Sequence, residues 1–577
     1  MRTANQGIRR TFGRTVPLRG MLAVALLAGL GACARDAVGP GRASPGGPSF
    51  TINPACDSAL GGQVHTDSVL TAETWTRANS PHRVNAYIYI EGPGVLTLEP
   101  GTVLCFVNAS WLSADHGGRL VAEGRDTARI VFTAADPANW WQGVRLFGSP
   151  GSASVLKHVR MEYASGALTS SGDHAAVIDS SVFRQNGYAL SLFGRGSRIS
   201  RSRVDTTTTP WATAAATIGT QVTFEQNVIR GAAGVGLAVM GIHGVSLLGG
   251  RIEGSGGVGL RVTTTGAGFV STAPVRVVGG ASYPAELVVS AFPRIYTTVA
   301  QQDSLLGNAR DTLVVTGGLL QQFAYPTQAL PWHVVGDIQV QNIGILAPKP
   351  GATLVFDEDV GIHADYGGRV VARGTATAPV LFTAADAAAG WDGVWLYGTP
   401  ALSSYLTNVR MEHTTRTAVH AFDGHVLAID SAVFRQNGAA AVLYAANSRI
   451  SRSRVDTTTW SARPAVQLGY NTTLESTLIR GSAWYGLVVD RAAVLSCDIR
   501  DSASHGISGT VNDVHNCNLV NNAGSGISNN PNWSLANAED NWWGDAAGPT
   551  GASGDGVSGP VDYTPWRTTP YVLPYVP

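Results

Sequence analysis

Lysine is almost missing from this sequence: Lys157 and Lys349 are the only two, so nearly all of the 40 basic residues are arginine. Forty acidic residues balance them, and a formal net charge of zero removes the electrostatic ground for expecting nucleic acid as a partner. Biased codon usage accounts for the arginine excess as readily as a need for bidentate contacts to anions. Catalytic signatures are scarce too. There is no C-x-x-C, so neither zinc binding nor thioredoxin-like redox chemistry is indicated. G-x-S-x-G, H-E-x-x-H, a P-loop and EF-hand spacing are absent, which removes the commonest hydrolase, zinc-protease and nucleotide readings. Gly254-Ser255-Gly256-Gly257-Val258-Gly259 fits G-x-G-x-x-G, but no helix follows and the chain holds 69 glycines, so it reads as turn composition. No stretch sustains a 3.6-residue apolar period.

What is present is a strand-and-turn composition, written twice. The chain has 577 residues, 44% hydrophobic and 14% charged, enough to bury a large core. VFRQNG at 182–187 and SRISRSRVDTTT at 197–208 recur at 433–438 and 448–459. PGTVLCF at 100–106 answers PGATLVF at 350–356, and FTAAD at 132–136 answers FTAAD at 382–386. A constant offset that long means duplicated domains.

The N-terminus carries Arg2, Arg9, Arg10, Arg14 and Arg19 ahead of the apolar run MLAVALLAGLGA at 21–32. That order is an export signal, and the run is too short to anchor stably in a bilayer. Leu30-Gly31-Ala32-Cys33 resembles a bacterial lipobox, which implies lipidation of Cys33, and Ala34 after it implies the outer membrane. Residues 34–55, rich in Gly, Pro and Ser, form a tether. Of the remaining cysteines, Cys56 with Cys105 would staple the N-terminal segment to the first coils. Cys497 and Cys517 lie in matching frames 20 residues apart, and either a disulfide or stacked free thiols suits them.

Inside each half a period of about 20–25 residues recurs, each frame a short alternating strand ended by Gly, Asn, Ser or Thr. Such strands bury an apolar face only by stacking turn on turn, which predicts an all-β fold of two tandem right-handed parallel β-helix solenoids. The frames, the W-x-G-V elements (Trp141-Gln142-Gly143-Val144 and Trp391-Asp392-Gly393-Val394) and the terminal NWWGDAAGP…GDGVSGPVDYTPW at 541–566 resemble the pectin-lyase-like superfamily. Within it they are similar to bacterial surface and secreted β-helix proteins with no assigned activity. The expected layout is a signal peptide at 1–33, the tether at 34–55, a capped first β-helix at 56–305 and a second at 306–577 whose tail caps the last coil.

Aligning the frames on the inward residues Met161, Phe183, Val204, Ile229 and Ile252 predicts an outward column Glu162, Arg184, Asp205, Arg230, Glu253 of alternating sign. The second half repeats it as Glu412, Arg435, Asp456, Arg480, Arg500, with the alternation broken only at the end. Two residues earlier run Arg160, Val182, Arg203, Val228, Arg251 and Arg410, Val433, Arg454, Leu478, Asp498. The arginine excess on the first strip would suit an acidic sugar chain. Alternating sign is what a self-satisfied ion-pair ladder needs, and the ladder is the favoured reading.

Other groups read first as structure. Asp115 and Asp365 recur in A-D-x-G-G-R, and Asp173, His174, Asp423 and His425 cluster between strands, where turn-forming Asp is common. Asp540, Asp545, Asp555 and Asp562 could hold calcium, but not at the spacing of a dedicated loop. No other cofactor or metal is expected. Trp140, Trp141, Trp391 and Trp395 with Tyr397 could stack on sugars, though buried packing of W-x-G-V is favoured. The expectation is an exported, lipid-anchored monomer that acts as a surface binding scaffold, with polysaccharide as a candidate partner, no nucleic acid, and membrane contact through the lipid alone. The alternative is a polysaccharide lyase or glycoside hydrolase acting on an acidic glycan. Such an enzyme would need carboxylates converging on a groove free of arginine partners.

Overall fold

The computed structural model describes residues 53–208, 214–241, 243–263, 269–296 and 298–573. The export segment, Cys33 and nearly all of the tether lie outside the described residues. Through the described chain, alternating apolar runs become short strands, and the residue after each strip position turns a corner in the left-handed conformation. Tyr163, Gln185 and Thr206 do this at φ of 59°, 53° and 51°, and His413, Gln436 and Thr457 at 60°, 53° and 52°. Each corner sends the chain to the next wall, and each wall strand pairs in parallel with its counterpart one turn on. The result is an all-β, right-handed parallel β-solenoid of about 21 turns with almost no helix.

Three walls enclose the core. On the first, Val103–Phe106 pairs with Ile130–Ala134, then Val159–Glu162, Val182–Asn186 and Arg203–Thr207. The second stacks Trp111–Ala114, Gly143–Leu146, Gly166–Ser170 and Tyr188–Leu192. The third stacks Val95–Leu98, Arg119–Glu123, Ser154–Lys157 and Ala176–Asp179. Stacking already begins at Gln63–His65 against His82–Val84, well before the regular frames of the sequence.

Around residues 305/306 the strands give way to short helical pieces, Phe292–Ile295, Val299–Gln302 and Asp303–Leu305. One wall nevertheless stays paired through them. Ala285–Leu287, on the second wall, pairs with Leu313–Val315, which pairs with Trp332–Val334 and then with Thr353–Phe356. Thr353–Phe356 is the repeat of Val103–Phe106, a first-wall strand. The second copy therefore sits one wall out of step with the first, and equivalent strands look out in different directions.

The interior explains the recurring motifs. Trp141 and Trp391 are fully buried, stacked on Phe106 at 3.9 Å and on Phe356 at 4.3 Å. Their indole N–H groups donate to the Glu162 and Glu412 carbonyls at 2.9 and 2.8 Å. The glycine of W-x-G-V is obligatory, because a Cβ on Gly143 or Gly393 would lie 1.7 or 2.3 Å from a carbonyl of the next turn. At one inner corner each backbone N–H donates to a side chain one turn ahead: Ser181 to Ser202 Oγ at 3.1 Å, and Ser202 to Asn227 Oδ1 at 2.9 Å. In the second copy Ser453 N–H donates to Thr477 Oγ1 at 3.3 Å, Cys497 N–H to Cys517 Sγ at 3.2 Å and Cys517 N–H to Asn541 Oδ1 at 2.8 Å. Cys497 and Cys517 are thus buried free thiols that serve as rungs of this ladder, and burial with Cys517 alongside pushes the Cys497 thiol well up. Cys56 and Cys105 are disulfide-bonded, with Cα atoms 5.8 Å apart.

At the end of the solenoid Trp543 is fully buried and Leu519 N–H donates to the Trp542 carbonyl at 2.8 Å. Val557–Ser558 and Val561–Asp562 pair with the preceding strands, so the tail covers the last turn. Replacing Trp391 by Ala leaves a cavity between Phe356 and Phe382, and the expected loss is about 3–5 kcal/mol in denaturant unfolding followed by near-UV dichroism.

Candidate functional site

The charged columns are positioned by strand pairing alone. Glu162 is opposite Arg184, Arg184 opposite Asp205, Asp205 opposite Arg230 and Arg230 opposite Glu253. Glu412, Arg435, Asp456, Arg480 and Arg500 follow in the same way on the second copy. The flanking arginines are also in register, Arg160 with Val182 and Arg203, then Val228 and Arg251. Because of the one-wall offset these are two separate strips. They do not form one continuous face.

Every carboxylate on the strips is held by arginine. Glu162 takes Arg184 Nε at 2.6 Å and has Arg160 Nε at 3.3 Å. Asp205 is held by Arg203 at 2.5 Å, and Glu253 by Arg230 at 2.7 Å and by Arg251. On the second copy Arg410 holds Glu412, Arg454 and Arg480 clamp Asp456 at 2.6 and 2.5 Å, and Arg500 holds Asp498. Glu162 and Asp456 sit deep, their side chains 4% and 6% exposed, Asp205 and Glu253 sit shallower, and the paired arginines are the more exposed partners. Arg435 is the one strip arginine in this set with no ion-pair partner among the described residues. It shares a hollow of about 250 Å³ with Arg410, Thr375 and Asn408.

The remaining candidates are distributed elsewhere. Ser154 Oγ and His174 Nε2 lie 2.8 Å apart, as do Ser404 Oγ and His425 Nε2, a pairing that sequence spacing alone did not reveal. All four side chains are fully buried. Each imidazole also meets a main-chain carbonyl, Phe147 O at 2.7 Å or Tyr397 O at 3.0 Å, so the pairs lace turns together inside the core. Burial holds both imidazoles below the usual range. Asp545 is occupied by Ala547 and Ser553, Asp555 by Asn522 and Asp562 by Thr564, each within its own turn or contact. Trp140 donates to the Pro137 carbonyl at 3.1 Å. Trp395 is half-buried in an outer aromatic group, 4.1 Å from His420 and 6.3 Å from Tyr397.

Fold and site together define an all-β parallel solenoid bearing ion-pair columns on its walls. A family model described as "Right handed beta helix region" matches residues 392–539. No curated protein matches the chain. Among solved structures, a mutant of the PL6 family alginate lyase AlyGC is similar at 9% identity, covering 82% of this chain and 96% of that chain with a TM-score of 0.15. A score that low leaves the neighbour's activity without bearing here.

Glu162→Gln leaves two guanidiniums facing each other across one rung, and the expected destabilisation is about 1–3 kcal/mol, below the value for a fully sealed pair because both arginines keep water. Arg435→Ala should change stability by no more than about 0.5 kcal/mol in the same denaturant titration. Burial lowers His65 and His420 to about 4, and lowers His82, His174 and His425 as well. The unfolded chain therefore takes up these protons first, so the stability they permit is complete above about pH 6.5 and declines toward about pH 4. The thermal midpoint, read by calorimetry, should fall between pH 7 and pH 5.

Proposed function

We propose that this chain is a non-catalytic binding scaffold for carbohydrate, carried on an exported, lipid-anchored solenoid at the cell surface. The observation that supports it is the arginine on every strip carboxylate. A hydrolase needs one free acid and one free base or nucleophile across a groove, and a lyase needs a base near a neutralised substrate carboxylate. Here the strip carboxylates already carry arginine partners from the protein itself, and alternation along the column stabilises register by a few tenths of a kcal/mol per exposed pair. A rigid, long wall with repeating outward positions is well suited to an extended polymer, since its own repeat meets equivalent positions turn after turn.

The test is a panel of acidic and neutral polysaccharides offered to the purified chain, read both by calorimetric binding and by release of reducing or unsaturated ends. Saturable binding without new ends is the expected result. Sustained release of ends by the wild type, abolished by Glu162→Gln or Asp456→Asn, would replace the scaffold with an enzyme.

A further inference from the structure

The duplication allows the two copies to be compared position by position, and they part company at one corner. In the first copy Asp115 has partners within its own turn. Its Oδ1 accepts the His116 backbone N–H at 2.7 Å, and His116 Nδ1 lies 3.7 Å from its Oδ2 and 4.0 Å from Glu91. Gly148, one turn on, presses against this pair, for a Cβ there would meet both Asp115 Oδ1 and His116 N at 3.1 Å.

In the second copy Tyr366 stands where His116 does, Tyr397 replaces Phe147, and Gln341 replaces Glu91. The Asp365 side chain has no hydrogen-bond or ion-pair partner among the described residues, and its Oδ1 is sealed from solvent. A carboxylate oxygen enclosed without a donor is costly, and a native structure rarely tolerates one without a reason. The corner is also wider, since a Cβ on Gly398 would meet only Tyr366 N, at 3.9 Å. The result is a cleft of about 490 Å³ lined by Asp365, Tyr366, Gly367, Tyr397, Gly398 and Thr399. Tyr366 is 77% exposed at one side. Tyr397, at the other, is braced by Phe422 from the following turn, with ring centroids 5.6 Å apart and planes within 11°.

We infer that the cleft between Tyr366 and Tyr397 binds one pyranose residue of an uncharged glycan, a reading that rests on the scaffold function proposed above. The C–H face of the sugar lies against tyrosine, and its hydroxyls donate to Asp365 through Oδ2, the carboxylate oxygen that is not sealed from solvent. A uronic acid would bring a second negative charge to Asp365 and is disfavoured. Two rings, one on either side, suit the faces of one sugar, whereas a quaternary ammonium group requires rings on more sides. The volume falls within the range of small-ligand sites. The first copy, with Asp115 satisfied and Gly148 closing the corner, provides the unmodified control within the same molecule.

The experiment is calorimetric titration of the purified chain with neutral hexasaccharides of glucose, xylose and mannose, with hexagalacturonate and choline as comparison probes. At least one neutral hexasaccharide should bind with a Kd below about 1 mM. Tyr366→Ala, at an exposed position, should weaken that binding about tenfold with an unchanged dichroism spectrum. The double change Tyr366→His with Tyr397→Phe, which restores two of the three first-copy residues, should do the same. Neutral binding that ignores all these changes overturns the cleft but leaves the scaffold reading standing. Choline saturating the site in place of sugars also overturns the cleft. Absence of binding by every saccharide in the panel overturns both. Release of new ends with Tyr366→Ala still weakening affinity overturns only the non-catalytic reading.

Discussion

Main-chain hydrogen bonding between successive turns is the constraint on which the rest depends. Parallel pairing fixes neighbouring strands about 4.8 Å apart and in register, so a single outward position becomes a column of side chains drawn from residues some twenty positions apart. Like charges at that spacing repel, and alternation of Glu, Arg and Asp relieves that repulsion along most of the column, Arg480 opposite Arg500 being the exception. The same register lines up the serine, threonine, asparagine and cysteine rungs inside the corner and the tryptophan–phenylalanine stacks in the core. Each of these would be broken by a slip of one residue, which would also turn the apolar face outward.

Much of this was legible in the sequence because the inner period is strong. Counting from Met161 to Phe183, Val204, Ile229 and Ile252 gives the stacking partners without coordinates, and the strand pairing repeats that order. What could not be read is which wall a strand occupies. The period says that Thr353–Phe356 resembles Val103–Phe106, but the number of walls crossed between them is decided in the helical pieces at Phe292–Leu305, where no frame recurs. Burial was also hidden: Asp173-His174 and Asp423-Gly424-His425 look like exposed turns, yet the imidazoles point inward to Ser154 and Ser404. The cleft was visible in principle. Treating Asp115 and Asp365 as equivalent turn formers passed over the change from His116 to Tyr366, the signal that separates them.

Identical segments need not have identical electrostatics. VFRQNG occurs in both copies, and Arg184 of the first bonds Glu162 on the preceding turn. Arg435 of the second faces Glu412, which Arg410 already holds, and is left without an acid. The strip residues on the turns above and below are the same in both copies, so the difference lies in which arginine takes the acid: Arg184 in the first copy, Arg410 in the second.

The one-wall step between copies has a bearing on how such a chain grows. With three walls and a step of one, a third copy would look out along the remaining direction and a fourth would share the bearing of the first, apart from the gradual twist of the sheets. Lengthening by duplication thus spreads equivalent surfaces around the circumference before repeating any of them.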